Sequence, residues 1–395
     1  MDPDLRFLLG VAGAAVFGSE IPPKPADADW QRIYQISKKH NISNIVYYGI
    51  LKGNYDIPEP FSGMFKQDMF ANLMISENQS REIKLLTGEF EKSGIDFLCL
   101  KGTVLRELYP SPDMRRMADA DILIRINQYP QADEAMKKLG YEFIGESDHE
   151  YIYHKKPVMH VELHKYLIPS YNDDMYSYYG SGWDIAEKKD GTEHEYELKP
   201  DDNFVYLMTH LAKHYRDGGI GIKSVIDLKL YNDKNSLDGD YIKKQLIKLN
   251  IDKFADNVSD LLGVWFEGKK DTDLTDAMTD YILNSGEYGD KQNKEGAAAI
   301  RQFENEKDFS SVRKKKMLNY FFPPLENMKK LFPVLERAVW LLPFMWIIRW
   351  IRAPFSSKSR QNYKNISGSV TSDKMKKYYE HIDAVGLDIY KGKKT

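Results

Sequence analysis

The chain has 395 residues, 42% apolar, 29% charged and 13% aromatic, with a net charge of −3. This is a globular composition with room for two or three domains. It excludes a disordered chain and any global attraction to nucleic acid. The charge is uneven: from Arg301 onward there are 20 Lys and Arg against 9 Asp and Glu, so this segment carries +11 and the preceding 300 residues −14. The basic segment reads as a solvated helical surface, the alternative being a face for a polyanion or an anionic membrane.

In chain order, the opening MDPDLRFLLGVAGAAVFGSE holds a short apolar stretch. Two aspartates and one arginine precede that stretch, where a signal peptide carries net positive charge, so it reads as the first core helix. Apolar residues recur at three- and four-residue spacing over Trp30–His40 and Phe65–Phe90, which makes residues 1–92 a helical region. The pattern changes at Gly94. IDFLCL predicts a buried strand, Thr103–Leu108 a helix, DILIRI a second strand, and Tyr129–Leu139 a helix closed by Gly140. YEFIG, HEYIYHKK and VMHVELHKYLI read as further strands, and YNDDMYSYYGSGW as a loop with aromatic anchors, the alternative being a stacking surface for a base or sugar. The single cysteine, Cys99, can form no intrachain disulfide, is expected to be buried, and suits a reducing, cytoplasmic location.

From Pro200 the pattern is helical again, with Val205, Leu207, Met208 and Leu211 on one stripe and further amphipathic segments at Val225–Tyr231, Tyr241–Leu249 and Phe254–Phe266. SSVRKKKMLNYFFPP is a basic connector. Ala338–Arg352, interrupted by Arg349 and Pro343, is too short for a spanning helix of roughly 20 apolar residues. It reads as a core helix, the alternative being an interfacial contact through 338–352 with Trp340, Trp346 and Trp350 beside basic residues. The expected fold is α+β: a small mixed-sheet core at 93–199, an N-terminal helical region at 1–92, a C-terminal helical domain at 200–355 and a polar tail at 356–395, with a short helix near Lys374–His381.

The stretch LKGTVLRELYPSPDMRRMADADILI carries the chemistry. Alternate strand residues share a face, so Asp119 and Asp121 point the same way, with Ile122 and Ile124 opposite. Two carboxylates so placed resist joint ionisation unless a cation lies between them. Gly102, after a buried strand and before a helix, lets backbone N–H groups approach a phosphate; Thr103 adds a hydroxyl, Lys101 a counter-charge, and Arg115 and Arg116 could reach phosphate oxygens. In HVELH, His160, Glu162 and His164 alternate onto one side, so Glu162 offers a third carboxylate, and Glu162 or Asp121 a local base. The same triplet also permits a separate Zn²⁺ site of His160, Glu162 and His164. His210 and His214 lie one helical turn apart and, with Lys213 and Lys223, are candidates for phosphate or nucleotide contact.

Lys101-Gly102, Leu108-Tyr109-Pro110, Arg115 through Asp121, and Glu162-Leu163-His164 resemble the motifs of the DNA polymerase beta-like nucleotidyltransferase superfamily, and more narrowly an uncharacterised bacterial group of nucleotidyltransferase family proteins. The resemblance extends to His210, His214, Gly218, Gly219 and Asp227 and to the Trp-rich helices near 340–350, covering about residues 30–352. It implies a nucleotidyltransferase fold with Asp119, Asp121 and Glu162 as catalytic ligands of Mg²⁺ or Mn²⁺. It also implies a triphosphate near Gly102 and Thr103, and nucleotide contacts from Lys101, Arg115, His164, His210 and His214. The implied reaction moves an NMP from an NTP to an acceptor hydroxyl on a small molecule, a protein or an RNA. The alternatives are a non-catalytic nucleotide-binding or regulatory module of the same fold, and a toxin-like tRNA-modifying enzyme. Gly-Thr follows Lys101 where the superfamily has Gly-Gly or Gly-Ser, the gap to Asp119 is long, and residue 120 is alanine; none of these departures removes a ligand.

Overall fold

A computed structural model describes residues 1–287, 289–290, 293–294, 297, 317–353, 356 and 372–388. Most of the basic connector and most of the polar tail lie outside these residues. The chain divides into two units, residues 1–213 with 220–288, and residues 214–219 with 289 onward.

The first unit begins with α1 (Pro3–Val16), α2 (Trp30–Lys39), α3 (Ser43–Lys52) and the long α4 (Phe61–Lys92). The acidic start of the chain has a local cause: Asp2 caps α1 by accepting from the Leu5 N–H at 3.1 Å and receives a two-pronged bond from Arg32, both arms 2.8 Å. Behind that cap Leu5, Phe7, Leu8, Leu9 and Val11 are buried, as expected of a core helix. Gly49 on α3 is the point of closest approach to α1: a Cβ there would meet the Val11 carbonyl oxygen at 2.0 Å, so only glycine fits. Along α4, Phe65, Asn72, Ser76, Gln79, Glu82, Leu86 and Phe90 are buried at helical spacing; the helix is as expected, but the middle of its buried stripe is polar, and Phe70, Leu73, Met74 and Leu85 are exposed.

A seven-stranded mixed sheet follows. Its strands are β1 (Phe97–Cys99), β2 (Ala120–Ile124), β3 (Glu142–Glu146), β4 (Glu150–Lys155), β5 (Met159–His164), β6 (Ala186–Lys188) and β7 (Glu195–Leu198), in the order β3-β4-β5-β2-β1-β7-β6. Strand β1 runs antiparallel to β2 and parallel to β7, and β2 runs parallel to β5. Between β1 and β2 comes the single-turn α5 (Gly102–Leu105), and between β2 and β3 comes α6 (Tyr129–Lys138), with Gly140 at φ +82° just past its end. The α+β expectation holds. Two short strands, β6 and β7, were not legible, and α7 (Asp173–Tyr179) replaces the expected aromatic loop, with Met175 and Tyr179 buried. Cys99 is half-buried rather than fully buried.

The two sheet faces differ in chemistry. Phe97, Ala120, Ile122, Ile124, Tyr151, Tyr153, Val161 and Leu163 pack against Leu86 and Phe90 of α4 and Ala132, Ala135 and Met136 of α6. The other face carries polar groups at the centre of the sheet. The first unit closes with α8 (Pro200–Arg216, which runs on into the second unit), α9 (Ile222–Lys234), α10 (Gly239–Lys248), α11 (Asp252–Phe266) and α12 (Asp273–Ser285).

In the second unit, α13 (Leu325–Leu331), α14 (Leu342–Arg352) and α15 (Ser372–Ala384) are described. The core-helix reading of 338–352 is corrected. No residue of α14 is buried, and Trp340 is 73% exposed, Ile351 64% and Phe344 57%. The polar atoms of one side turn back on the preceding chain: Trp346 Nε1 donates to the Pro323 carbonyl (3.0 Å), Arg349 Nη1 to Tyr320 (2.8 Å) and Trp350 Nε1 to Phe321 (2.6 Å). No helix among the described residues is long and apolar enough to cross a membrane.

The core face sets a stability test. Ile122 is fully buried in the α4–α6 layer, so Ile122→Ala is expected to destabilise the fold by about 2–5 kcal/mol. Phe143→Ala on edge strand β3, where the ring is 45% exposed, is expected to shift the urea midpoint far less. Equal shifts would refute the placement of the core under the centre of the sheet rather than at its β3 edge.

Candidate active site

The polar face is built by register. In the parallel ladder Asp121 lies opposite Glu162 and Leu123 opposite His164. In the antiparallel ladder beside it Glu150 lies opposite His164 and Ile152 opposite Glu162. Laterally paired residues project to the same side, so Asp121, Glu162, His164 and Glu150 share one face across β2, β5 and β4. Asp119 stands one residue before β2 begins, half-buried at its mouth.

Asp121 is buried, and two donors converge on a single oxygen of it. Lys101 Nζ lies 2.7 Å and His164 Nε2 2.8 Å from Oδ1. Lys101 reaches it from the turn that ends β1, where the backbone adopts φ +48° and ψ −118°. Burial opposes the Asp121 charge, but Lys101 and the His164 bond outweigh it and hold this carboxyl well below the usual range. The other two carboxyls go the opposite way. Burial, then the charge of Asp121, push Asp119 up to about 6. Burial, then Asp119 and Asp121, push Glu162 up to about 8. Donor atoms of Asp121, Glu162 and His164 lie within 4.8 Å of one another. Asp119 stands outside that group but acts on it through charge.

Gly102 is buried, and its missing side chain has a packing reason. A Cβ would meet Met117 Cγ at 3.0 Å and Arg115 Nη1 at 3.6 Å. Thr103, next along α5, is buried with a hydroxyl that has no hydrogen-bond partner. Arg115 is clamped rather than free: its Nε donates to both oxygens of Asp227 on α9 at 2.7 and 2.9 Å, and its Nη1 to the Arg116 carbonyl. Tyr109 Oη donates to the same Asp227 at 2.7 Å. Residues 112 to 118 positions apart thus form one buried node that holds the long β1–β2 connection. Its cationic end still acts on Asp119, lowering that carboxyl as Lys101 and Lys223 do. Lys223 itself is buried, bonded to Glu287 and to the Arg116 carbonyl. Burial and the Arg115 charge push its ammonium down.

His210, half-buried on α8, has its ring 6.2 Å from that of Tyr206 one turn earlier. Tyr206 is fully buried, its hydroxyl is without a partner, and burial raises it while Lys101 and Asp121 act on it. Tyr206 belongs to none of the sequence motifs; its signal is the four-residue step that leads from His210 back to it. His214 falls in the other unit. His160 does not join the carboxylates: it is exposed, its ring tilts against His154 at 4.5 Å, and the alternative Zn²⁺ trio of His160, Glu162 and His164 does not form.

The clamp makes a direct prediction. Arg115→Ala strands Asp227 in a buried place without its guanidinium, and stability should fall by about 3–5 kcal/mol in urea unfolding. An unchanged midpoint would show that the node carries no load.

No curated protein and no solved structure gives a significant match to the chain. A family model described as an uncharacterised nucleotidyltransferase matches residues 26–267, from just before α2 to just past α11. That stretch contains the whole sheet, the Lys101–Asp121–His164 cluster and the Arg115–Asp227 node, and the protein therefore belongs to this nucleotidyltransferase family, whose general chemistry is nucleotidyl transfer.

Proposed function

We propose that the protein is a metal-dependent enzyme that transfers a nucleoside monophosphate from an NTP to an acceptor hydroxyl. The family implies an NTP substrate. The observation that carries the finer reading is the protonation conflict on the sheet face, where Asp119 and Glu162 are pushed up beside an ionised Asp121. A divalent cation of oxygen preference relieves that conflict, so the donor set fits Mg²⁺ or Mn²⁺, held by Asp119, Asp121 and Glu162. Such an ion, when bound, neutralises phosphate charge and makes the attacking hydroxyl more acidic.

The chain's own groups divide the remaining work. Lys101 and His164 fix the orientation of Asp121 by bonding one oxygen and leaving the other available. Glu162, ionised when a cation relieves the repulsion from Asp119 and Asp121, can accept the proton of the acceptor hydroxyl. The partnerless Thr103 hydroxyl can donate to a phosphate oxygen. We assign Lys101, Gly102 and Thr103 to the triphosphate side and His210 to nucleotide contact, while Arg115, held by Asp227, contributes through its charge. His164 works through Asp121.

Two outcomes test this reading. Asp119→Asn should abolish transfer from labelled NTP to any acceptor in a cell lysate while leaving far-UV circular dichroism unchanged; full activity would sink the assignment. The second outcome is thermodynamic. The Glu162 carboxyl is raised from 4.5 to about 8 on folding, so the folded chain binds more protons than the unfolded one across that window. Without divalent cation, stability should fall as pH rises from about 4.5 to 8. Millimolar Mg²⁺ or Mn²⁺ should therefore raise the melting temperature more at about pH 8 than at pH 6. An increment independent of pH would count against carboxylate ligation.

A further inference from the structure

We propose that His149, Glu150 and His164 form a second cation site, for a transition-metal ion of the Zn²⁺ class, one strand beyond Asp121 and Glu162 on the same sheet face. The site is set by register: β4 begins at Glu150, which lies directly opposite His164 at the end of β5, and His149 immediately precedes it. One donor atom from each of the three lies within 4.8 Å of the other two. None is a surface group. The side chains of His149, Glu150 and His164 are 15%, 14% and 2% exposed.

An independent observation points to a ligand. His164 is almost wholly buried, and its Nδ1 has no hydrogen-bond partner. Its other nitrogen, Nε2, faces Asp121 Oδ1 at 2.8 Å. Asp121 already takes the Lys101 ammonium on that oxygen, and an ionised carboxylate can only accept, so Nε2 carries the proton. Nδ1 is then left as a bare lone pair in a buried place, which is costly unless a cation or a donor meets it. The nitrogens of an imidazole diverge, and β5 separates β2 from β4; the nitrogen turned from Asp121 is the one available to the β4 side. Carboxylate, imidazole and metal in that sequence is the arrangement by which an outer carboxylate fixes the tautomer of a ligating histidine.

His149 fits the same pattern. Its Nδ1 lies 3.4 Å from Ser147 Oγ, and its Nε2 faces Glu150 Oε2 at 3.0 Å. Two imidazole nitrogens and one carboxylate oxygen suit Zn²⁺ or Co²⁺ better than Mg²⁺. Ligand bonds of about 2.0–2.2 Å in a tetrahedron bring donors to roughly 3.3 Å apart, so the trio needs only a small closure. Three protein ligands leave a fourth position open, as in zinc sites that bind water or a substrate group rather than purely structural ones.

The proposal stands apart from the triphosphate assignment, and the full-length chain tests it without any turnover. The protein is stripped with a chelator, dialysed against Zn²⁺ or Co²⁺ and washed, and its metal is measured by mass spectrometry, with affinity from competition against a chromophoric chelator. We expect about one tightly held equivalent and visible Co²⁺ bands of tetrahedral type. His149→Ala and Glu150→Gln should each weaken binding by about tenfold or more, whereas His160→Ala, on the same face, and Asp119→Asn should retain it. Glu150→Gln decides the matter if His149→Ala does not fold. A chain that retains no Zn²⁺ or Co²⁺, or variants that bind as the parent does, would overturn the proposal and leave His149 and Glu150 as an ion pair only.

Discussion

The buried carboxylate of Asp121 is the charge around which the rest of the centre is arranged. Desolvation alone would force a proton onto it. Lys101 and His164 prevent that, and each arrives from a different strand end: Lys101 from the end of β1, His164 from the end of β5. Keeping one carboxylate ionised shifts the strain to its neighbours, so Asp119 and Glu162 become reluctant acids. A centre of this kind is charged for a cation before the cation comes. The apolar face beneath it, packed on α4 and α6, keeps the strands in the register that makes these contacts.

Much of this was legible in the residues. Alternation along HVELH put Glu162 and His164 on one face, and Asp-Ala-Asp placed a pair of carboxylates at a strand mouth. The long helices announced themselves by their spacing, because a stripe of buried residues every three or four positions survives any tertiary context. What stayed hidden depended on partners distant in the chain. Arg115 looked like a free phosphate ligand, since nothing local reveals that Asp227 and Tyr109 converge on one another and on it. The strands β6 and β7 are three and four residues long, at or below the shortest length at which a period of two can be recognised. His149 escaped notice because a turn residue acquires its neighbours only when β4 pairs with β5. The segment 338–352 misled for the opposite reason: its apolar content is high enough for a core, yet in the described residues that surface stays open.

The β1–β2 connection combines two opposing tendencies. It must be long enough to carry Gly102, Thr103 and Arg115 past the sheet end, and long connections are normally the loosest parts of a fold. Here Met117 packs against Gly102, Gln79 of α4 donates to the Met117 carbonyl at 3.0 Å, and Asp227 holds Arg115. The first contact folds the connection on itself and the other two come from α4 and α9, so the connection is held largely by partners distant in the chain.

The backbone at Lys101 has one more implication. A φ of +48° with ψ of −118° is a conformation that glycine occupies freely and that a side chain occupies at about 1–3 kcal/mol of strain. The turn geometry asks for glycine at this position, and the Asp121 carboxylate asks for an ammonium there. Robustness and reactivity therefore pull against each other at a single residue. A lineage or a library selected for thermal endurance alone would drift toward glycine at 101 and end with a sturdier fold whose central carboxylate had lost its counter-charge.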